Sequence, residues 1–475
     1  MTDLDANSDQ PPESITNSAA ASGELISGQK SVAITLLSLA APVIATNISR
    51  TVMSFADFVM VSRLGTDAQA AIMPAGIVLF VIIGFGLGVV SVVTTLVSQS
   101  YGSGRRADCL TYGWQGVHLG LAIGLAALPM WFILDPFFRL ADHGEEILRL
   151  EVAYARVGLF GIGPTIAAVA LANFFTGIHR PTIGFISAFV SNVFNILCNY
   201  ALIFGHWGLP AMGMVGAAWS TLMASVLQLL ILLGWLMLPR YRQLSENRRT
   251  WRPNWGRAIQ LIRIGVPAGL QLASDIASWM IFAVFLVGRF GPVHLAANNI
   301  CFKFLEISFM PAVGLGYALT AAVGKSIGAG KPDQVRIYVR WATIYCVGYM
   351  GLIGLVMALF RYELSGLFAN DPEIIHWASI IMIMCAVFQI FDALGITYNG
   401  ALRGAGDTLW PAAAWAASAL VFLIGGGWLM VQIAPQWASA GAWVAATLHV
   451  FMVGLLLALR YQFGSWHRKQ LLDPR

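Results

Sequence analysis

The sequence predicts an all-α integral membrane protein, with twelve transmembrane helices in two pseudo-symmetric six-helix bundles around a central cleft. Three observations carry that expectation. Of the 475 residues, 58% are hydrophobic and only 11% are charged, against about 25% charged in soluble domains. Apolar stretches of about 20 residues or more, long enough to cross a bilayer, recur twelve times. Landmarks of the first half also return in the second half at a constant spacing.

Taken in order, residues 1–30 are rich in Ser, Asp, Asn and Pro and read as a disordered cytoplasmic tail. They lack the basic start and apolar core of a secretory signal. Apolar spans are expected at 33–60, 69–98, 112–134, 152–178, 182–205 and 212–238, which places an N-terminal six-helix lobe within 31–238. A polar, basic linker fills 239–258. Spans resume at 259–288, 294–324, 337–360, 374–401, 409–433 and 438–460, placing a C-terminal lobe within 259–462 and a short tail over 463–475.

Charge sets the orientation. The linker carries Arg240, Arg242, Arg248, Arg249, Arg252 and Arg257, and basic loops stay in the cytoplasm. The same choice puts Arg105, Arg106, Arg180, Lys325, Lys331, Arg336, Arg403, Arg468 and Lys469 inside, with both termini. The opposite loops hold fewer basic residues and include Asp142, Glu145 and Glu146. The formal charge of +5 is therefore explained by topology, and no nucleic-acid partner is expected.

The halves repeat. Arg63-Leu64-Gly65 answers to Arg289-Phe290-Gly291, Gly102 and Gly104 to Gly328 and Gly330, Pro42 to Pro267, and Gly216-Ala217 to Gly441-Ala442. All share an offset of about 225 residues, and with six helices each the lobes are related by an axis along the membrane normal. Such symmetry commonly places a substrate path between lobes that rock against each other, which points to a transporter.

Chemistry is expected where charge lies in oil, since an ionised side chain at the bilayer centre costs at least a few kcal/mol. Asp275 sits in the middle of span 7. Five other charged groups share the spans: Arg50, Asp57, Lys303, Glu306 and Asp392. Counted from the cytoplasmic ends, Asp275 and Asp392 lie roughly 18 and 14 Å deep. They could share a proton or hold Na⁺, or each could bond a neighbouring helix as structural glue. In the first lobe, Asn192, Asn195 and Asn199 fall on one face of span 5. They form a polar stripe able to meet Asp57, or ordinary interhelical hydrogen bonds. Arg50, two turns from Asp57 on the same face, could compete for that acid. Lys303 and Glu306 are three residues apart, a structural pair by default; a cavity-facing Glu306 would attract a cation. Gln271 and Asn192 are further candidates for the cavity. Pro42 and Pro267 each remove a backbone bond and can kink spans 1 and 7. Some of the 16 Trp and 27 Phe could line an apolar cavity suited to flat organic cations.

Enzymatic signatures are missing. The five cysteines form neither a disulfide framework nor a metal pattern. Gly324-Lys325-Ser326 resembles the end of a phosphate-binding loop, but Leu319 stands where that loop needs glycine, and no H-E-x-x-H occurs. No cofactor is expected, and uphill transport would run on an ion gradient or a partner's ATPase.

At this point the sequence resembles the multidrug and toxic compound extrusion (MATE) family. The likeness runs from about 30 to 465 and is carried by AAPVIATNISRTVMSFADFVMVSRLG (40–65), SQSYGSGRRAD (98–108), NVFNILCNYALIFGHWGLPAMGMVGAAWST (192–221), IGVPAGLQLASD (264–275), LAANNICFKFLEISFMPAVGLG (295–316), GKSIGAGKPD (324–333) and FDALGITYNGALRGAGDT (391–408). The resemblance implies a drug:H⁺ or drug:Na⁺ antiporter. Its cation-site acids fall on Asp57 with Asn195 and Asn199 in the first lobe, and on Asp275 and Asp392 in the second. Members using the second-lobe site often carry Glu at the place of Asp275 and Tyr at the place of Phe388. The shorter acid and the missing oxygen weigh toward protons in that lobe, and toward the first-lobe set as the main coupling site.

The expected function is thus export of amphipathic, often cationic organic compounds by a monomer embedded in lipid of the cell inner membrane, coupled to H⁺ or Na⁺. Two alternatives stand beside it: a lipid-linked oligosaccharide flippase of related architecture, and an intramembrane transferase.

Overall fold

The computed structural model describes residues 13–140, 144–242, 250–466 and 471. Arg248, Arg249, Asp142, Arg468 and Lys469, used above for orientation, lie outside them. Among the described residues, twelve helices are long and apolar enough to cross a membrane. Spans 1 to 6 are Ser31–Ser62, Thr66–Gly102, Arg106–Phe132, Glu145–Gly177, Pro181–Phe204 and Gly213–Met237. Spans 7 to 12 are Trp255–Phe290, Pro292–Gly328, Pro332–Leu359, Pro372–Gly404, Leu409–Ile433 and Pro435–Phe463. Each coincides with an expected stretch, extended by several residues at most ends because polar turns at the membrane surface remain helical. The helix of span 1 begins as early as Glu13, inside the stretch expected to be tail; no proline interrupts the chain between Pro12 and Pro42.

Pro42 and Pro267 lie inside continuous helices. At Pro42, the Thr46 hydroxyl donates to the proline carbonyl at 2.8 Å, one way a membrane helix satisfies polar groups near a proline. The second lobe holds a departure the sequence did not announce. Phe282–Val287 in span 7 and Ala419–Gly426 in span 11 are π-helical, wider turns that often occur at functional sites.

Leu96, Ile166, Leu171, Phe174 and Phe175 are fully buried among the first six spans, where Leu261 and Ala268 of span 7 join them. Phe282, Cys385 and Trp443 are fully buried among the last six, and Leu36, Leu39 and Ala40 of span 1 pack with spans 8 to 10 rather than with their own half. The lobes seal against each other at the end carrying the glycine loops. There, backbones approach so closely that a Cβ on Gly102 would strike the Lys325 carbonyl and one on Gly328 the Gln99 carbonyl. The crossing of spans 2 and 7 is equally close, with Gly88 against Ala268 and Gly269. Two side chains bond across the seam: Thr95 Oγ1 donates to the Arg403 carbonyl at 2.8 Å, and Gln99 Nε2 to the Gly404 carbonyl at 2.9 Å.

Span 7 is latched to the opposite lobe where it leaves the linker. Arg257 pairs with Asp108 of span 3 at 3.0 Å, and Tyr112 Oη donates to Gln260 Oε1 at 2.6 Å. Asn254 caps this helix, accepting from the Arg257 amide at 3.1 Å.

The seal yields a prediction. Gly328→Leu inserts a side chain where only a hydrogen fits, an overpacking that costs roughly 1–3 kcal/mol. With spin labels at Ala107→Cys and Gln334→Cys, both exposed beside this seam, the label-to-label distance should lengthen relative to the parent.

Candidate ion sites and cavity

The first-lobe site forms where span 5 turns its polar face toward span 1. Asn195 and Asn199 are both fully buried. Asn199 Nδ2 donates to Asp57 Oδ1 at 2.5 Å. The Asn195 amide nitrogen also reaches Asp57 Oδ1, at 2.9 Å, and its oxygen accepts from the Thr221 amide at 3.3 Å. An ionised carboxylate only accepts hydrogen bonds, and both amides offer it a donor. Asn199 Oδ1 is buried without a partner, leaving one acceptor beside the acid.

Asn192, the third amide of the expected stripe, does not join this set. Its Nδ2 donates to Ser49 Oγ at 2.8 Å, tying span 5 to span 1 nearer the inner end. Arg50 makes no ion pair with Asp57 among the described residues; it interacts with Tyr317 of span 8 in the other lobe. Thr221 of span 6 and Tyr154 of span 4, which is close enough to feel the charge of Asp57, were not foreseen. Neither stands out by residue type in an apolar span.

In the second lobe, Asp275 and Asp392 line one cavity of about 440 Å³, close enough for one charge to act on the other. Asp275 Oδ1 accepts from Trp415 Nε1 of span 11 at 3.0 Å, and Trp279 stands one turn further along span 7 in the wall of the same cavity. Asp392 is buried and has no hydrogen bond among the described residues. Aromatic rings wall the cavity: Phe80 from the first lobe, with Trp279, Phe302, Phe388 and Trp415. Phe388 packs its ring 5.9 Å from that of Trp279. Glu306 lines the same space, and Lys303 Nζ stands 3.3 Å from its carboxylate, so the pair and the cavity role coexist. Gln271 lines an adjoining pocket with Asp275, Tyr317, Asn399 and Arg403.

The two π-helical stretches follow directly on the residues that make this site. One begins three residues after Trp279, the other one residue after Ser418. Sequence reasoning missed Trp415 because tryptophan in a membrane span reads as packing. It also missed His449 of span 12, which is fully buried and lines the cavity; a lone ionisable side chain in mid-span was the available sign.

Two lobes that seal at one end, holding acids without fixed counter-charges, have the build of a secondary transporter. The MatE family model matches residues 42–201 and 270–429, once in each lobe, and the chain belongs to that family. It is 27% identical over 441 residues to the "Probable multidrug resistance protein NorM" of Rhizobium meliloti, covering 90% of this chain and 92% of the relative. It is 28% identical over 375 residues to the multidrug resistance protein PmpM of Pseudomonas aeruginosa, covering 78% of each. Among solved structures, a mutant of the Vibrio cholerae MATE transporter VcmN superposes with a TM-score of 0.83 at 19% identity, covering 93% of this chain and all of the other. The eukaryotic MATE transporter AtDTX14 gives 0.82 at 18%, covering 93% and 98%. These two likenesses are to the fold.

Trp415→Phe removes the donor to Asp275 while keeping an aromatic ring. Hydrogen bonds to charged groups contribute about 1.5–3 kcal/mol. The variant should therefore bind a cationic dye, measured by fluorescence titration, at least about tenfold differently from the parent, while melting within a few degrees of it. Asn199→Leu should show the same pattern at the other site, with loss of transport exceeding loss of stability.

Proposed function

We propose that the protein is an inner-membrane antiporter, working as a monomer with both termini cytoplasmic, that exports amphipathic, often cationic organic compounds in exchange for H⁺ or Na⁺. The observation that carries this reading is the second-lobe cavity, where aromatic walls enclose Asp275 and Asp392 with no Lys or Arg in the lining among the described residues, and where Glu306 is paired with Lys303. Rings attract flat cations through their faces, and the acids supply the charge. A proton or Na⁺ competes for the same oxygens, so ion and drug exclude each other.

The cycle follows from that competition. With the basic, glycine-loop end inside, the seal between Gly102 and Gly328 makes this the outward-facing state. Uptake of the ion at Asp57, or at Asp275 and Asp392, removes the carboxylate charge that held the drug and promotes release. The neutralised lobes then favour closure outside and opening inside. The ion shifts this equilibrium only by its different affinity for the two states.

A flippase for lipid-linked pyrophosphates needs a basic cavity, and an acidic one works against it. The multidrug-resistance names of the curated relatives agree with the antiporter. Purified protein in liposomes, loaded with ethidium and given an imposed pH or Na⁺ gradient, tests the reading. Asp57→Asn, and Asp275→Asn with Asp392→Asn, should each slow gradient-driven export about tenfold or more. Export by both variants at the parent rate would overturn the mechanism.

A further inference from the structure

We propose that His449 is a third proton-binding group of the second lobe, taking a proton at Nε2 from the cavity it shares with Asp275 and Asp392. The inference rests on the antiport reading above and adds a residue to it.

Hydrogen bonding sets the tautomer of the ring. His449 Nδ1 lies 2.9 Å from Ser418 Oγ. The Ser418 hydroxyl has one proton, and it is directed to the backbone carbonyl of His449 at 3.1 Å. A carbonyl can only accept, so Ser418 is the donor there and must be the acceptor toward the ring. Nδ1 therefore carries the hydrogen, and in neutral imidazole Nε2 is left with a lone pair. Nε2 is buried and has no hydrogen-bond partner among the described residues. The helix thus presents an unsatisfied base whose ring is oriented by Ser418.

Position puts that base beside the acids. Span 12 packs on span 10 with Gly454 against Phe391 and Leu394. Five residues earlier, about 7.5 Å along the helix, His449 comes level with Phe388, one turn from Asp392, and all three line the cavity. The ring is flanked by those of Trp279 and Trp415, at 6.5 and 6.3 Å between centroids, and Trp415 bonds Asp275.

The charged and titratable groups around it come from three elements: Asp275 on span 7, Glu306 with its partner Lys303 on span 8, and Asp392 on span 10. Among the described residues, spans 2 and 11 add Phe80, Trp415 and Ser418 around it, none of them charged. When a proton from the outer side reaches Asp392 and passes to Nε2, the carboxylate is restored next to a new cation. A second proton can then neutralise Asp392. The lobe so loads one more proton than its carboxylates alone would take, and imidazolium repels a cationic drug that the neutral ring would admit.

The experiment measures protons released per ethidium bound by the full-length protein in weakly buffered detergent, together with binding affinity from pH 6 to 9. Proton release equals the slope of log affinity against pH. His449→Asn keeps a donor for Ser418 and does not titrate. It should release about one proton fewer than the parent near neutrality, and its affinity for ethidium relative to the parent's should rise as the pH falls from 9 to 6. His449→Gln serves as the second variant and should behave alike. Equal proton release by parent and variants overturns the assignment while leaving antiport intact; so does an affinity loss of the same size at pH 6 and pH 9, which marks a purely structural residue. A parent that releases no protons and exports nothing down a pH gradient overturns both this inference and proton antiport.

Discussion

Holding carboxylates in a low-dielectric interior without cancelling their charge is the constraint on which the rest of the structure depends. Asp57 is met by amides, Asp275 by an indole, and Asp392 by no hydrogen bond among the described residues. Neutral donors steady a carboxylate while leaving its charge available. A permanent arginine partner would stabilise the same acid and silence it. The molecule uses that second solution elsewhere: Asp407 is paired with Arg460 at 2.9 Å and Asp108 with Arg257 at 3.0 Å. Both lie at the basic end of the spans, where a fixed pair fastens elements together. The two treatments of one residue type separate acids fixed by arginine from acids met only by neutral groups.

The lobes answer the constraint differently despite their common plan. The first surrounds one acid with two short amides that donate to it. The second places two acids, a glutamate and an imidazole in a larger aromatic chamber. Its helices depart from regular winding at Phe282–Val287 and Ala419–Gly426, directly after the residues that define the chamber. An added residue in a turn widens the helix and re-aims what precedes it. The wall thereby accommodates indoles as large as Trp279 and Trp415 without parting the spans.

Much of this architecture was legible in the sequence, because hydropathy and the repeat of Gly102, Gly104 and Pro42 act over long stretches and need no knowledge of contacts. Asp57, Asn195, Asn199, Asp275 and Asp392 were also visible, since polar groups in oil are costly enough to stand out one by one. Asn192 was over-read: helical spacing shows which residues share a face, but not how far along a partner helix each will reach, and Ser49 was nearer. Trp415 and His449 were under-read for a related reason. Tryptophan is common in membrane helices, and a neutral histidine carries no formal charge, so their significance lies in what they touch. The π-helical turns have no strong local signature, arising from the packing of whole spans.

The seal between the lobes has a consequence for descent. Gly102 fits against Lys325, and Gly328, its counterpart, fits against Gln99; corresponding positions meet reciprocally across the pseudo-axis. That is the geometry of a two-fold dimer, in which one patch is its own complement. A half-length ancestor could have associated with itself through this surface, and joining two copies through a basic connector would have required no new contact. Once fused, each copy was free to drift, and the unlike ion sites of today record how far they went.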